Sequence, residues 1–298
     1  MHRRHFLTAG AGLGAGLIAA SCSRSEQANA PADAPGATSA AASGDLTADL
    51  RGGDGVPHRR AKITRLFKTP DNFPNAVRAA PEGFWVAEQK TLTNPSSGNT
   101  NNLYLMDMDG KVLRTVRNEG ANISGLGLGG GRLWIANNAQ PNGILEYDEK
   151  TGQKIALHDI PLGNGGCHGV MWHDGKVYIN ALRVKGIMRV DARTWQPEHL
   201  IPYNWRRTHD LEWDNGGIWM ITGTLNGPEP SDDRAGMAKY DAATGKLLET
   251  VSFDDGAFDP HGLTMKDGVM YTCDAGIHPG WKDGSSEGSG YIGRIEFI

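Results

Sequence analysis

The chain has 298 residues, 41 of them glycine, 39% hydrophobic content and a formal net charge of −4. No basic stripe or run stands out in it, which argues against nucleic acid or an anionic membrane surface as a partner of the folded part. Its three cysteines lack framework spacing, so Cys167 and Cys273 are expected as small buried strand residues rather than as a disulfide.

Residues 1–22, MHRRHFLTAGAGLGAGLIAASC, join a basic start at Arg3 and Arg4 to a Gly/Ala/Leu-rich stretch that ends in small residues before Cys22. The apolar run is too short and too glycine-rich for a membrane span and has the layout of an export signal. Arg3-Arg4 followed by Phe6-Leu7 resembles a twin-arginine signal, which places the protein in the periplasm or cell envelope. The AASC stretch resembles a lipoprotein cleavage box, which would lipidate Cys22 and tether the chain to a membrane; the alternative is plain cleavage and a soluble periplasmic protein. Residues 23–58 are rich in Ala, Pro, Ser and Gly and are expected to be a disordered tether. The folded domain is expected over residues 59–298 as a monomer, a length that suits one all-β unit.

Within that domain one repeat recurs five times. Counting back ten residues from Trp85, Trp134, Tyr178, Trp219 and Tyr271 reaches Asn75, Ser124, His168, His209 and His261. The segments NAVRAAPEGFWVAE, SGLGLGGGRLWIAN, HGVMWHDGKVYINA, HDLEWDNGGIWMIT and HGLTMKDGVMYTCD each pair two apolar strands across a tight turn. A second strand pair follows the first four, as in ILEYDEKTGQKIAL and AKYDAATGKLLETV. Four antiparallel strands per 41 to 52 residues are the size of a β-propeller blade. Five blades are predicted, with six as the alternative. The fifth carries only a third strand, GYIGRIEFI, so the early strand AKITRLFKTP is expected to complete it and close the ring.

In a propeller the ten-back positions begin the innermost strands and gather at one channel mouth. Glu88, Asn137, Ala181, Thr222 and Asp274, three beyond each aromatic, end on the same rim. The connections after them are long in three blades, at residues 89–101, 223–235 and 275–289, and long rim loops commonly carry function. Three consecutive blades offer His168, His209 and His261. Imidazole is the commonest transition-metal ligand, so these three are expected to hold a divalent ion (Zn, Mn, Fe, Mg or Ca), with Glu88 or Asp274 as proton shuttle. Asp210 and Asp259 are candidate orienters of the imidazoles. Without a metal, the same histidines suit general acid–base work near neutral pH. Arg207 is a candidate for stabilising an oxyanion, and Asn75, Asn137, Arg183, Trp205 and His278 for binding substrate. His158, His173 and His199 are expected to be structural.

The repeated HG(V/L)…DG…(W/Y) pattern with GYIGRI resembles the blades of virginiamycin B lyase and the wider gluconolactonase-like propellers. That resemblance implies metal-assisted opening of a lactone or ester, by elimination or hydrolysis, and implicates His168, His209, His261, Glu88 and Asp274. Those relatives usually have six or seven blades. Plant-type glutaminyl cyclases have five, but their tryptophan and glutamine signatures are not evident in this chain. The expected function is thus an exported, metal-dependent lyase or hydrolase acting on a small lactone, ester or sugar-derived substrate. A non-catalytic tethered propeller that binds a ligand or partner protein is the alternative.

Overall fold

The computed structural model describes residues 55–89, 102–162, 165–223, 235–254, 258–275 and 288–298, and among them it contains twenty strands and no helix. The first blade comprises β2 (Pro74–Ala80), β3 (Gly83–Glu88), β4 (Asn102–Asp107) and β5 (Val112–Arg117). The second comprises β6 (Ile123–Gly129), β7 (Arg132–Asn137), β8 (Gly143–Asp148) and β9 (Lys154–His158). The third runs through β10 (Cys167–His173), β11 (Lys176–Ala181), β12 (Gly186–Asp191) and β13 (Pro197–Pro202). The fourth has β14 (Thr208–Asp214), β15 (Gly217–Thr222), β16 (Gly236–Asp241) and β17 (Leu247–Phe253). The fifth has β18 (Pro260–Lys266), β19 (Val269–Asp274) and β20 (Tyr291–Phe297), and its outermost strand is β1 (His58–Lys68).

Each innermost strand packs on the next, in the order β2, β6, β10, β14, β18 and back to β2. The ring therefore closes with five blades, in agreement with the repeat register. Strand β1 pairs antiparallel with β20, as the closing strand was expected to do. It also does something the repeat does not announce: residues His58 to Ala61 pair in parallel with Thr250 to Phe253 of β17. One strand thereby joins the fourth and fifth blades into a single eight-stranded sheet. The His58 ring sits between the hydroxyls of Thr250 and Ser252, at 2.8 and 3.2 Å, and fixes that register.

Inner strands are apolar on both faces because each lies between two blades; all six residues of GFWVAE are buried, whereas VLRTVR on the rim buries one. The aromatic that marks the repeat has the same task in every blade. Trp85 packs among Ile123, Leu126 and Leu133 of the second blade, and Trp134 among Val170, Val177 and Ile179 of the third. Tyr178 meets Leu211 and Met220, Trp219 meets Leu263 and Met270, and Tyr271 meets Val77 and Phe84. The repeated aromatic is an inter-blade wedge, which explains its fixed position.

Every innermost hairpin carries a register shift at its start, between Pro74 and Ala76, Ile123 and Gly125, Cys167 and Val170, Thr208 and Leu211, and Pro260 and Leu263. The bulge contains the ten-back residue each time, and bulges re-aim side chains next to functional sites. In the second, third and fifth blades a glycine follows, Gly125, Gly169 and Gly262, and it has a steric reason. A Cβ on Gly169 would stand 2.7 Å from Asp210 Cα and from the His209 carbonyl oxygen. Neighbouring inner strands can approach this closely near the axis only where no side chain intervenes.

Candidate functional site at the channel mouth

The ten-back residues begin as inter-blade fasteners. Asn75 donates its amide to the Ile123 carbonyl at 2.8 Å, and the Ser124 hydroxyl donates to the Cys167 carbonyl at 2.7 Å. His168 donates Nδ1–H to the Thr208 carbonyl at 2.6 Å. In all three cases the acceptor is the residue just before the next blade's equivalent position. This job needs only a donor, and asparagine or serine suffices. Histidine brings something more. A carbonyl can only accept, so Nδ1 of His168 carries the proton and Nε2 is the basic nitrogen. His261 is fixed in the same tautomer by donating Nδ1–H to the Asp259 carbonyl at 2.8 Å.

The three imidazoles are neighbours. The His168 and His209 ring centroids are 4.7 Å apart and stacked at 10°, and His209 and His261 are 4.0 Å apart, tilted by 39°. Burial holds the His168 imidazole below its ordinary range and the nearby Arg207 charge adds to this, while the bond to Thr208 pulls the other way. His168 is therefore neutral at pH 7.

The same stacking bears on the expected metal. An imidazole binds a metal along the lone pair in its own plane, and two stacked, nearly parallel rings do not aim their lone pairs at one point. His168 and His209 thus do not fit one ion in this arrangement. Among the described residues no group of three His, Cys, Asp or Glu is placed to hold a metal.

The rim carboxylates have other partners. Glu88 accepts the backbone N–H of Phe73 at 2.7 Å and of Asp71 at 3.4 Å, and Asp274 accepts that of Asp259 at 2.8 Å. Asn137 accepts from Asn122 and Ala121 at 3.2 and 3.0 Å, and donates to the carbonyls of Ala139 and Pro141. Phe73, Asn122 and Asp259 each lie two residues before a ten-back position. These three side chains therefore clamp the chain as it approaches its innermost strand. Since an amide does at Asn137 what carboxylates do at Glu88 and Asp274, the task requires no charge. Burial in fact pushes the Glu88 carboxyl up to about 7, against hydrogen bonds from Thr69 and Phe73. Glu88, Asp274 and Asn137 thus each anchor the chain as it enters an innermost strand.

Arg207 stands beside the histidines. Its Nη2 is 2.7 Å from the fully buried Asp259 carboxylate, and its backbone is held at φ 49°, unusual for a residue with a side chain. Arg183 is exposed on the turn after β11. Trp205, expected at the site, is instead a core residue: it is buried against Leu211 and Met220, and its indole N–H donates to the Tyr240 hydroxyl. A bulky indole flanked by apolar side chains is more stable inside than over a wet mouth. Asn75 Oδ1 is buried with no hydrogen-bond partner among the described residues, which keeps Asn75 a candidate contact for a ligand. His278 and Cys22 lie outside the described residues, as do the signal and most of the long rim loops. His158 bonds Glu146 at 2.8 Å and stacks on Trp195, and His173 stacks on Trp213, so both are structural as expected. Cys167 and Cys273 are buried and unbridged, and burial pushes the Cys167 thiol up to about 12.

A group that the repeat pattern did not flag crosses the channel. Arg78, on the first blade, donates to the carbonyls of Leu126, Val170 and Leu211 at 2.7, 3.3 and 2.9 Å. It also pairs with Asp210 at 3.3 Å and with Glu212. Asp210, expected to orient an imidazole, instead accepts the amides of Leu211 and Leu263 at 2.9 and 3.2 Å. Its only legible signal was an arginine between the apolar residues Val77 and Ala79 of an inner strand.

No protein-family model matches the chain, and no curated protein sequence does either. Solved structures are similar in fold. Glutaminyl cyclase from Myxococcus xanthus is 12% identical, with a TM-score of 0.59 over 81% of this chain and 98% of that one. Virginiamycin B lyase from Staphylococcus aureus is 19% identical, with a TM-score of 0.45 over 78% of this chain and 69% of that one. At such identities the likeness concerns architecture alone, and it agrees with the closed ring of sheets: the chain is a β-propeller.

Proposed function

We propose that the protein is a lyase or hydrolase acting on a small organic substrate, and that His168 is its general base. The observation that carries this reading is the pinned tautomer of His168, half-buried, neutral and stacked on His209. In the first two blades the equivalent residue only fastens strands, whereas His168 fastens with Nδ1 and directs a second, basic nitrogen. Nε2 of His168 takes a proton from a substrate carbon in an elimination, or from water in a hydrolysis. His168 then returns that proton to the leaving oxygen, His209 and His261 stack beside it as a wall of the site, and Arg207 stabilises charge that develops on a carbonyl oxygen. Glutaminyl cyclase and virginiamycin B lyase, by their names, are enzymes on related architectures; this agrees with catalysis without identifying a substrate.

His168→Asn is the discriminating variant, because asparagine holds the equivalent bond at position 75. It should fold with a Tm near that of the parent and lose about 10²–10⁴-fold in kcat against a panel of lactones and esters. A variant that retains full activity would remove His168 from the chemistry. A parent inactive on every panel compound, yet able to bind one of them, would favour the non-catalytic ligand-binding propeller. Metal content measured before and after changing all three histidines to alanine tests the metal reading, which requires the His168 and His209 rings to unstack.

Export by the twin-arginine route is supported by residues 1–22. Arg3→Lys with Arg4→Lys should leave the protein uncleaved in the cytoplasm, and Cys22→Ala should move it from the membrane fraction to the soluble periplasm. Periplasmic recovery of the double-lysine variant would overturn the route, and unchanged fractionation of Cys22→Ala would overturn the lipid anchor.

A further inference from the structure

The fastening bond of Asn75 settles which way its amide faces. The Ile123 carbonyl can only accept, so the atom 2.8 Å from it is Nδ2, and Oδ1 is the acceptor left over. Asn75 is 2% exposed, and its Oδ1 is buried with no hydrogen-bond partner among the described residues. An acceptor shut off from bulk water and left unmade is costly, so such groups call for an explanation. The equivalent side chains on either side spend their protons on carbonyls. Ser124 donates its hydroxyl to Cys167, and His261 donates Nδ1–H to Asp259.

The position of Asn75 points to a ligand. It lies in the same bulge of its blade as His168 does in the third, and its Nδ2 makes the bond to the following blade that His168 makes with Nδ1. The two residues are two blades apart in a ring of five, so they stand across the mouth and not side by side. Arg78, three residues further along the strand of Asn75, reaches the carbonyls of Leu126, Val170 and Leu211 and floors the channel beneath them. A molecule held over His168 therefore meets a buried acceptor on the opposite wall. A site built to bond an O–H or N–H rejects the analogue that lacks it, because that analogue leaves the buried group unpaired.

We infer that the substrate at this mouth carries a hydroxyl or amine beside its carbonyl group, and that this group donates to Oδ1 of Asn75 while His168 works on the neighbouring carbon or carbonyl. The inference rests on the proposed acid–base function and adds the residue that sets its specificity. The shared chemistry is a hydrogen-bond donor, which both an alcohol and an amine supply.

The test is calorimetric titration and turnover assay of the full chain with matched pairs: α-hydroxy-γ-butyrolactone against γ-butyrolactone, and methyl lactate against methyl propionate. α-Amino-γ-butyrolactone is the amine. The partner without the donor is the smaller molecule in each pair, so a clash cannot produce the preference. Each donor compound should bind about tenfold or more tighter than its partner. Asn75→Ser is the decisive variant, because serine makes the equivalent bond at position 124 and carries no Oδ1. It should keep the parent Tm within a few degrees, weaken the donor compounds about tenfold and leave their partners unchanged. If Asn75→Ser does not fold, Asn75→Thr, with a hydroxyl donor in the same bulge, takes its place. No preference in any pair overturns the inference, as does a preference that survives the variant or a variant that weakens both members of a pair equally. A tenfold difference between the amine and the alcohol names which donor the site takes. The two proposals fail separately. A donor preference lost in Asn75→Ser, with no turnover of any compound, removes the catalytic reading alone. Turnover that is lost in His168→Asn but equal for both members of each pair removes the role of Asn75 alone.

Discussion

Replacing Arg78 with methionine should cost about 3–5 kcal/mol at neutral pH, a large share of a domain's stability. Arg78 is only 6% exposed and Asp210 not at all. The guanidinium supplies donors to three carbonyls on three blades and the counter-charge to two carboxylates, so its removal orphans all of them together. The loss should depend on pH with a definite sign. Burial already pushes the Asp210 carboxyl up to about 7, with Arg78 the main force pulling it down. A carboxyl raised above its unfolded value weakens the fold as pH rises from the unfolded pKa through the folded one. Without Arg78 both carboxyls rise further, so the deficit of Arg78→Met should be smallest near pH 4 and should grow as pH rises through about 7 toward pH 9. Urea unfolding of parent and variant across that range is the measurement. A deficit that does not change with pH would mean that Arg78 contributes packing and not charge. Adding Asp210→Asn and Glu212→Gln to Arg78→Met should recover most of the loss at pH 8.

Removing the closing strand should be more damaging still. A chain that starts at residue 55 should keep the parent Tm within a few degrees, whereas one that starts at residue 70 should show no cooperative transition. Strand β1 holds seven antiparallel register pairs with β20 and four parallel ones with β17. At about 1 kcal/mol net per ladder bond, this amounts to on the order of 10 kcal/mol, comparable to the whole stability of a domain. Ala61 and Ile63 also leave the core they share with Trp219, Phe253 and Ile295. Two strand edges would then be open to pairing with other chains, so aggregation should accompany the loss. A synthetic peptide of residues 55–70 should restore the transition when added in excess. Cooperative unfolding of the shorter chain alone would show that the ring does not need its clasp.

The repeat was legible because blade construction is local. A tight turn, a glycine and an aromatic at fixed spacing are imposed by each hairpin on its own segment, so Trp85, Trp134, Tyr178, Trp219 and Tyr271 announce one register. From that register followed the five blades, the closing role of AKITRLFKTP, and the shared position of His168, His209 and His261. Their meeting at one mouth follows from ring closure.

What each polar side chain does there was decided by groups distant in the chain. Glu88 and Asn137 occupy equivalent rim positions and differ in charge, yet both anchor amides two residues before a bulge; only the folded backbone shows that this task needs an acceptor and not a base. Asp210 seemed an orienter of imidazole because it follows His209, but its partner Arg78 lies 132 residues away across the channel. The His168 tautomer, too, is set by the Thr208 carbonyl of the next blade, whereas that of His261 is set locally by the Asp259 carbonyl two residues before it. Sequence periodicity by itself determined which positions are equivalent, since equivalence is a property of local hairpin geometry. Only the tertiary structure determined which carbonyl each of those equivalent residues fastens and which ring nitrogen of His168 is left basic, because hydrogen-bond partners and burial come largely from neighbouring blades.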